Sequence, residues 1–264
     1  MTGHSPTTTD LLLTAWDAEP SVVIGCALLL AAYFTLARRL DCRFDRRAAT
    51  FAGGVGVLLL ALISPLDALG DGYLLSAHVA QHFLLALVVP ALFVLGAPLN
   101  LPRLPGWFSN SRITWPLGVG VMLLWHLPVL FNAALTNEPL HIAQHLSFLA
   151  SGTLFWWPIF RPDQSRRLST APAVTYLFTA CTACSLLGAA LTFGPIGAYP
   201  AYLHPADTLG ILPLIRDVWG FDARSDQQLA GMLMWVPGCF VYLSAILVKV
   251  RVFYQEPVSG RVAA

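Results

Sequence analysis

Apolar residues fall along this chain in seven long blocks separated by short polar connections, and each block is the length of a membrane helix. A helix needs about 20 mostly apolar residues to cross a hydrocarbon core. On that criterion spans are predicted at 21–37, 48–66, 73–97, 113–135, 139–160, 171–193 and 226–250. The second block carries Gly53, Gly54 and Gly56, which membrane helices tolerate better than soluble ones. Pro90, Pro128 and Pro237 interrupt the third, fourth and seventh blocks, where proline frees a carbonyl and can kink a helix. The fold class expected is therefore all-α: a polytopic membrane protein with seven transmembrane helices.

Basic residues orient the bundle. Arg38, Arg39, Arg43, Arg46, Arg47, Arg103, Arg112, Arg161, Arg166, Arg167, Lys249, Arg251 and Arg261 fall in connections on one side, while only Arg216 and Arg224 fall on the other. The basic side is cytoplasmic by the positive-inside rule, which puts the N-terminus out and the C-terminus in. The expected organisation is an outer tail at 1–20, a single seven-helix membrane domain at 21–250 and a cytoplasmic tail at 251–264. A long outer connection at about 194–225 contains Pro195, Pro200, Pro205 and Pro213 and is expected to form a lid.

Composition agrees with the pattern. Of 264 residues, 56% are hydrophobic and 11% charged, against about 25% charged in ordinary soluble domains, and mean hydropathy is +0.67. That much apolar surface has no room in one soluble core, so the lipid bilayer is an expected partner. A net charge of +1 gives no ground for nucleic-acid binding. No Lys or Arg precedes Ser21, so the first helix is expected to be retained rather than cleaved as a signal peptide.

With this topology every histidine lies towards the outer side. His4 is in the tail and His204 in the long connection; His78 and His82 open the third span, His141 and His145 open the fifth, and His126 is near the outer end of the fourth. At 1.5 Å per residue the intramembrane histidines sit roughly 3–12 Å below the helix ends. His78-Val79-Ala80-Gln81-His82 is repeated as His141-Ile142-Ala143-Gln144-His145, and the same offset aligns Pro65 with Pro128, which suggests related helical hairpins. Imidazoles four residues apart share a helix face. So placed, a pair can hold a metal ion or point at a haem iron. A lone histidine can instead bond across a helix interface, but ionisable groups inside a bilayer are costly and usually functional.

Imidazole suits zinc, copper and iron alike. Met232 and Met234 lie on the same side, and thioethers favour Cu(I), although methionine is also ordinary packing. Five cysteines form no disulfide framework; Cys181 and Cys184 make a C-x-x-C that reads either as a soft metal or dithiol pair or as small residues at a helix contact. Asp67 and Asp71 lie just beyond the second span, as metal ligands, as partners orienting an imidazole, or as plain loop residues. No phosphate-binding glycine loop, activated nucleophile or paired carboxylate is evident, so no enzyme activity is expected.

These residues resemble the multi-helix CtaG-type cytochrome c oxidase assembly factors of bacterial membranes. The resemblance rests on Ser64-Pro65-Leu66-Asp67, on Ser76 through Pro98, on Trp125-His126-Leu127-Pro128, on Leu140 through Pro158 and on Asp226 through Gly238. It implies a role in maturing a haem–copper oxidase in the bacterial plasma membrane, at the step where copper enters, with an oxidase subunit or another assembly protein as partner. Carried over by position, it implies His78, His82, His126, His141, His145, Asp67 and Asp226 as the metal-site residues. The family pattern often has Met where Val79 stands and Glu where Gln144 stands, which makes the site here more purely imidazole. A haem-binding cytochrome and a metal transporter are the alternatives, although no polar path continues inward below the histidines.

Overall fold

Proline and short polar caps decide where the helices begin. In the computed structural model, which describes residues 7–42, 45–102 and 104–255, a short amphipathic helix α1 (Thr8–Thr14) precedes α2 (Pro20–Arg39). His4, Arg43, Arg103 and Arg261 lie outside the described residues. Pro20 starts α2, where its missing N–H costs nothing, and Arg38 and Arg39 close it at the negative end of the helix dipole. Asp45 caps α3 (Arg46–Ile63) by accepting from the amides of Arg47 and Ala48. Ser64 ends α3 and caps α4 (Pro65–Gly72) through its hydroxyl.

The third predicted span is one continuous rod with a flaw. It runs as α5 (Leu75–Phe83), a π turn (Leu84–Val88) and α6 (Val89–Gly96). Pro90 cannot donate to the carbonyl four residues before it, and the wider turn absorbs the defect. The Trp156 indole N–H fills the neighbourhood by donating to the Leu87 carbonyl at 2.9 Å.

The fourth predicted span is not continuous, which corrects the expectation for 113–135. It divides into α7 (Ser111–Trp125) and α8 (Pro128–Thr136), bent by 70°. The cause is local: Pro128 pushes Leu127 out of the helical region, to φ −64° and ψ 129°. The remaining helices are α9 (Glu138–Phe160), α10 (Thr170–Phe193) and α11 (Ala223–Gln255).

Five of these helical rods are long and apolar enough to cross a membrane (α2, α3, α5–α6, α10 and α11), and the bent pair α7–α8 makes a sixth. The expected count of seven is corrected on this measure. Helix α9 has the length, with 23 residues, but His141, Gln144, His145, Ser147 and Ser151 lower its hydropathy. The polarity that removes α9 from the count is the polarity of the site.

Glycines set the closest helix approaches. A Cβ on Gly188 of α10 would sit 2.7 Å from the Gly231 carbonyl of α11, so this pair meets backbone to backbone. Leu186 on α10, with Phe240 and Leu247 on α11, stays exposed, as a lipid-facing surface requires. At the histidine end a second apolar cluster joins Leu11 of α1, Tyr73 and Leu74 to Ile211, Leu214 and Ile215 of the long connection. Trp219 donates to the Thr8 hydroxyl at 3.0 Å, so the N-terminal helix and this connection form one cover.

The candidate metal centre

The repeated motif builds two facing half-sites. Helices α4 and α8 both start with the repeated proline, and α5 and α9 start at the same offset of 63 residues as the motifs they carry. His78, His82, His141 and His145 converge, with one nitrogen from each lying within 4.8 Å of all the others. Donors on a tetrahedral ion with bonds of about 2.1 Å are about 3.4 Å apart, so an ion draws these four together by less than an ångström each. The rings of His78 and His141 stack across the gap, with centroids 5.4 Å apart.

Hydrogen bonds fix which nitrogens are bare. His78 Nδ1 lies 3.1 Å from the Gly70 carbonyl, which can only accept, so Nδ1 carries the proton. Its Nε2 is then bare and faces His82 Nε2 at 2.8 Å. That contact needs a proton on His82 Nε2, which leaves His82 Nδ1 bare, buried and without a partner. His126 likewise donates from Nδ1 to the Met122 carbonyl at 2.7 Å, and its Nε2 is an orphan. His141 Nε2 and His145 Nε2 complete a set of four imidazole nitrogens with no hydrogen-bond partner. Each buried orphan costs about 1–3 kcal/mol. Four of them in one layer fit a site shaped for a cation, and an all-imidazole donor set suits copper or zinc.

The acidic residues surround this set without joining it. Asp71 Oδ1 is 3.7 Å from both His78 Nδ1 and His141 Nε2 and so spans the two half-sites at their mouth. Burial pushes its carboxyl up to about 6. Asp67 accepts from Gln81 Nε2 at 2.6 Å; burial, with Asp71 nearby, pushes it up to about 7. Gln81 also donates to the Ala61 carbonyl at 3.0 Å, which anchors α5 to α3. Its repeat mate Gln144 is equally buried, but neither of its polar atoms has a partner.

Asp226 takes a different position from a ligand. Leu74, at the start of α5, provides no side-chain cap. Asp226 supplies it from α11, accepting from the Leu75 amide at 2.7 Å, the Ser76 amide at 3.0 Å and the Ser76 hydroxyl at 2.5 Å. Both carboxylate oxygens are committed to the helix that carries His78 and His82. His126 stands beside the four-histidine set, 5.6 Å from His82 between ring centroids. His204 lies in the cover and is not one of the four.

The cover supplies residues that the motifs did not reveal. Tyr202 donates to the Gly70 carbonyl at 2.8 Å, the same oxygen that receives His78, and Tyr199 donates to the His126 carbonyl at 2.8 Å. Burial pushes the Tyr199 hydroxyl up to about 12 and Tyr202 well above its ordinary range, so both remain donors. Nothing in a proline-rich connection distinguishes these tyrosines from surface ones. Gly70 had a signal in its Gly-Asp-Gly run: a Cβ there would lie 3.0 Å from His78 Cα. The two cysteines of the C-x-x-C turn to different partners. Cys181 meets Cys239 at 2.9 Å, whereas Cys184 donates to the Met234 carbonyl at 3.1 Å.

Fold and site together define a helical protein of apolar, membrane-length helices with a cluster of four histidines, able to hold a cation, at one end of the bundle. The chain belongs to the cytochrome c oxidase caa3 assembly factor family (Caa3_CtaG), whose pattern matches residues 30–256. It is similar to the uncharacterized protein Mb0105 of Mycobacterium bovis, at 26% identity over 263 residues. The uncharacterized protein MT0111 of Mycobacterium tuberculosis is similar to the same extent. The match covers 87% of this chain and 38% of each relative, so the chain spans well under half the length of the curated relatives it matches. No solved structure matches it.

Proposed function

We propose that this chain is a non-catalytic assembly factor that holds a copper ion between its two imidazole pairs and passes it to a haem–copper oxidase or to a partner assembly protein. The observation that carries this reading is the set of four buried, unpartnered imidazole nitrogens beside a four-histidine cluster. Family membership supplies the client: an assembly factor for a copper-containing oxidase has reason to bind that oxidase's metal. His78, His82, His141 and His145 are the proposed ligands. His126 is a fifth imidazole within reach of His82, Asp67 orients through Gln81, and Asp226 positions α5.

The membrane arrangement follows from the same reading. By the positive-inside rule the basic connections lie on the cytoplasmic side of a bacterial plasma membrane. The histidine end then faces outwards, where oxidase copper is loaded. A haem between the pairs is disfavoured by space: Phe131 lies 4.9 Å from His78 and Phe148 4.7 Å from His82 between ring centroids, which fills the room a macrocycle needs.

The test is copper binding by the purified full-length protein, read by X-ray absorption. A shell of nitrogen scatterers is expected, and His78→Ala with His141→Ala is expected to remove it while the protein stays monodisperse. An unchanged nitrogen shell in that double variant rejects the site. A Soret band in the purified protein would favour haem instead.

A further inference from the structure

Deeper in the bundle, one to two helical turns below the histidine layer, is a small cavity of about 20 Å³. Its wall includes Met122 of α7, Cys184 of α10 and Met234 of α11, with Tyr242 and Phe83 alongside. All three sulfur residues are buried. The chain has four methionines; Met232 is exposed, and the two in the bundle interior both reach this one void.

The void exists because glycines line it. Gly118 and Gly152 are there because their helices approach closely: a Cβ on Gly118 would lie 2.6 Å from Phe155, and one on Gly152 2.7 Å from Pro90. The volume admits a single water-sized guest. Water needs two to four polar partners, and beside the Cys184 thiol the Tyr242 hydroxyl is the polar side-chain group that the wall offers it. Thioether and thiolate sulfurs are soft donors, and soft donors select Cu(I).

We infer that Met122, Cys184 and Met234 form a second metal position, a soft sulfur site for Cu(I) beneath the imidazole centre. Binding exchanges one ion for one proton: the Cys184 S–H bond breaks, a Cu–S bond forms, and the proton goes to bulk water. The bound pair of Cu(I) and thiolate is neutral overall, as a site inside a bilayer requires. The backbone links the two layers directly, because the carbonyl of Met122 receives the proton of His126 Nδ1. Methionine alone is an ordinary core filler; three sulfur residues from three helices around one void are what distinguish this place.

The site is argued from the sulfur set alone, so it stands or falls separately from the histidine reading. The experiment loads the full-length protein anaerobically with Cu(I) from a bicinchoninate complex and records stoichiometry and X-ray absorption. About two Cu(I) per chain and a Cu–S shell are expected. Met122→Leu, Met234→Leu and Cys184→Ala together should reduce this to about one and remove the sulfur shell, leaving the nitrogen shell. His78→Ala with His141→Ala should do the reverse. A wild-type protein with no Cu–S shell overturns the inference, as does a shell that survives the triple variant. A shell lost instead from Cys181→Ala with Cys239→Ala also overturns it. If the triple variant does not fold, the near-isosteric single Met→Leu variants decide: a reduced sulfur coordination number supports the site, and an unchanged one in both rejects it.

Discussion

Removing the carboxylate of Asp226 separates a structural cap from a metal ligand. The group is buried, and it accepts from two amides and one hydroxyl at the N-terminus of α5. In Asp226→Ala the cap itself is lost, worth about 0.5–2 kcal/mol. Donors that water cannot reach are also stranded, at about 1–3 kcal/mol each. Because the amides are neighbours and relax together, the sum is about 3–5 kcal/mol rather than the full total. For a chain of this size each kcal/mol shifts the melting midpoint by about 2–4 °C, so a fall on the order of 10 °C is expected. Asp226→Asn keeps one acceptor oxygen and should cost about 1–2 kcal/mol. The assay pairs thermal unfolding in detergent with copper affinity by chelator competition. A cap predicts that Asp226→Asn lowers the midpoint but leaves affinity within about threefold, an effect below about 0.7 kcal/mol. Ser76→Ala should destabilise in the same direction and add less than its full effect on top of Asp226→Asn. Affinity lost at least tenfold with an unchanged midpoint would refute the capping argument and restore Asp226 to the ligands.

Other outcomes follow from the surroundings of His78. Gly70→Ala places a methyl 3.0 Å from His78 Cα, so the α4–α5 contact must open. A loss of about 1–3 kcal/mol with weakened copper binding is expected from unfolding and competition titrations. Tyr202→Phe removes the hydroxyl that ties the cover to Gly70; stability should fall by about 1 kcal/mol, and copper release measured by stopped-flow transfer to a chelator should quicken. Asp67 has its carboxyl raised to about 7 by burial. Its unfolded counterpart ionises near the ordinary value of about 3.9. The contribution of Asp67 to the stability of the metal-free protein should therefore be fully present below that value and be lost as pH rises to about 7. Asp67→Asn should flatten the melting profile across that window.

Helix existence and the histidine layer were legible in the chain because each depends on short-range regularities. Apolar length marks a span, and a four-residue spacing marks a helix face, so His78, His82, His141 and His145 were placed together from their sequence alone. The break at Leu127 had a visible cause in Pro128, but proline is also tolerated inside membrane helices, and only the 70° bend distinguishes the two. Asp226 was singled out, yet its place is set by amides 150 and 151 residues away, which no local pattern encodes. The cysteines left two readings open for a similar reason, and their contacts with α11 fit small residues at a helix contact. Spacing paired Cys181 with Cys184, whereas helix crossing pairs Cys181 with Cys239 and sends Cys184 towards Met234. That Met122 and Met234 line one cavity likewise depends on how their helices are placed in the bundle, a matter of tertiary geometry.

The repeat that builds the centre is even in chain position and uneven in support. The α5 motif is braced on every side: Gln81 grips Ala61 and Asp67, His78 leans on Gly70, and Asp226 locks the helix end. The α9 motif has less scaffolding: Asn137 caps its helix and Asp71 lies 3.7 Å from His141, but Gln144 holds nothing, and His141 and His145 are only partly buried. For any guest seated between them, one jaw of the vice is fixed and the other is free to swing. Under the proposed function unloading has a direction: the α9 imidazoles are expected to let go first, with the recipient approaching from that flank while His78 and His82 keep the last grip.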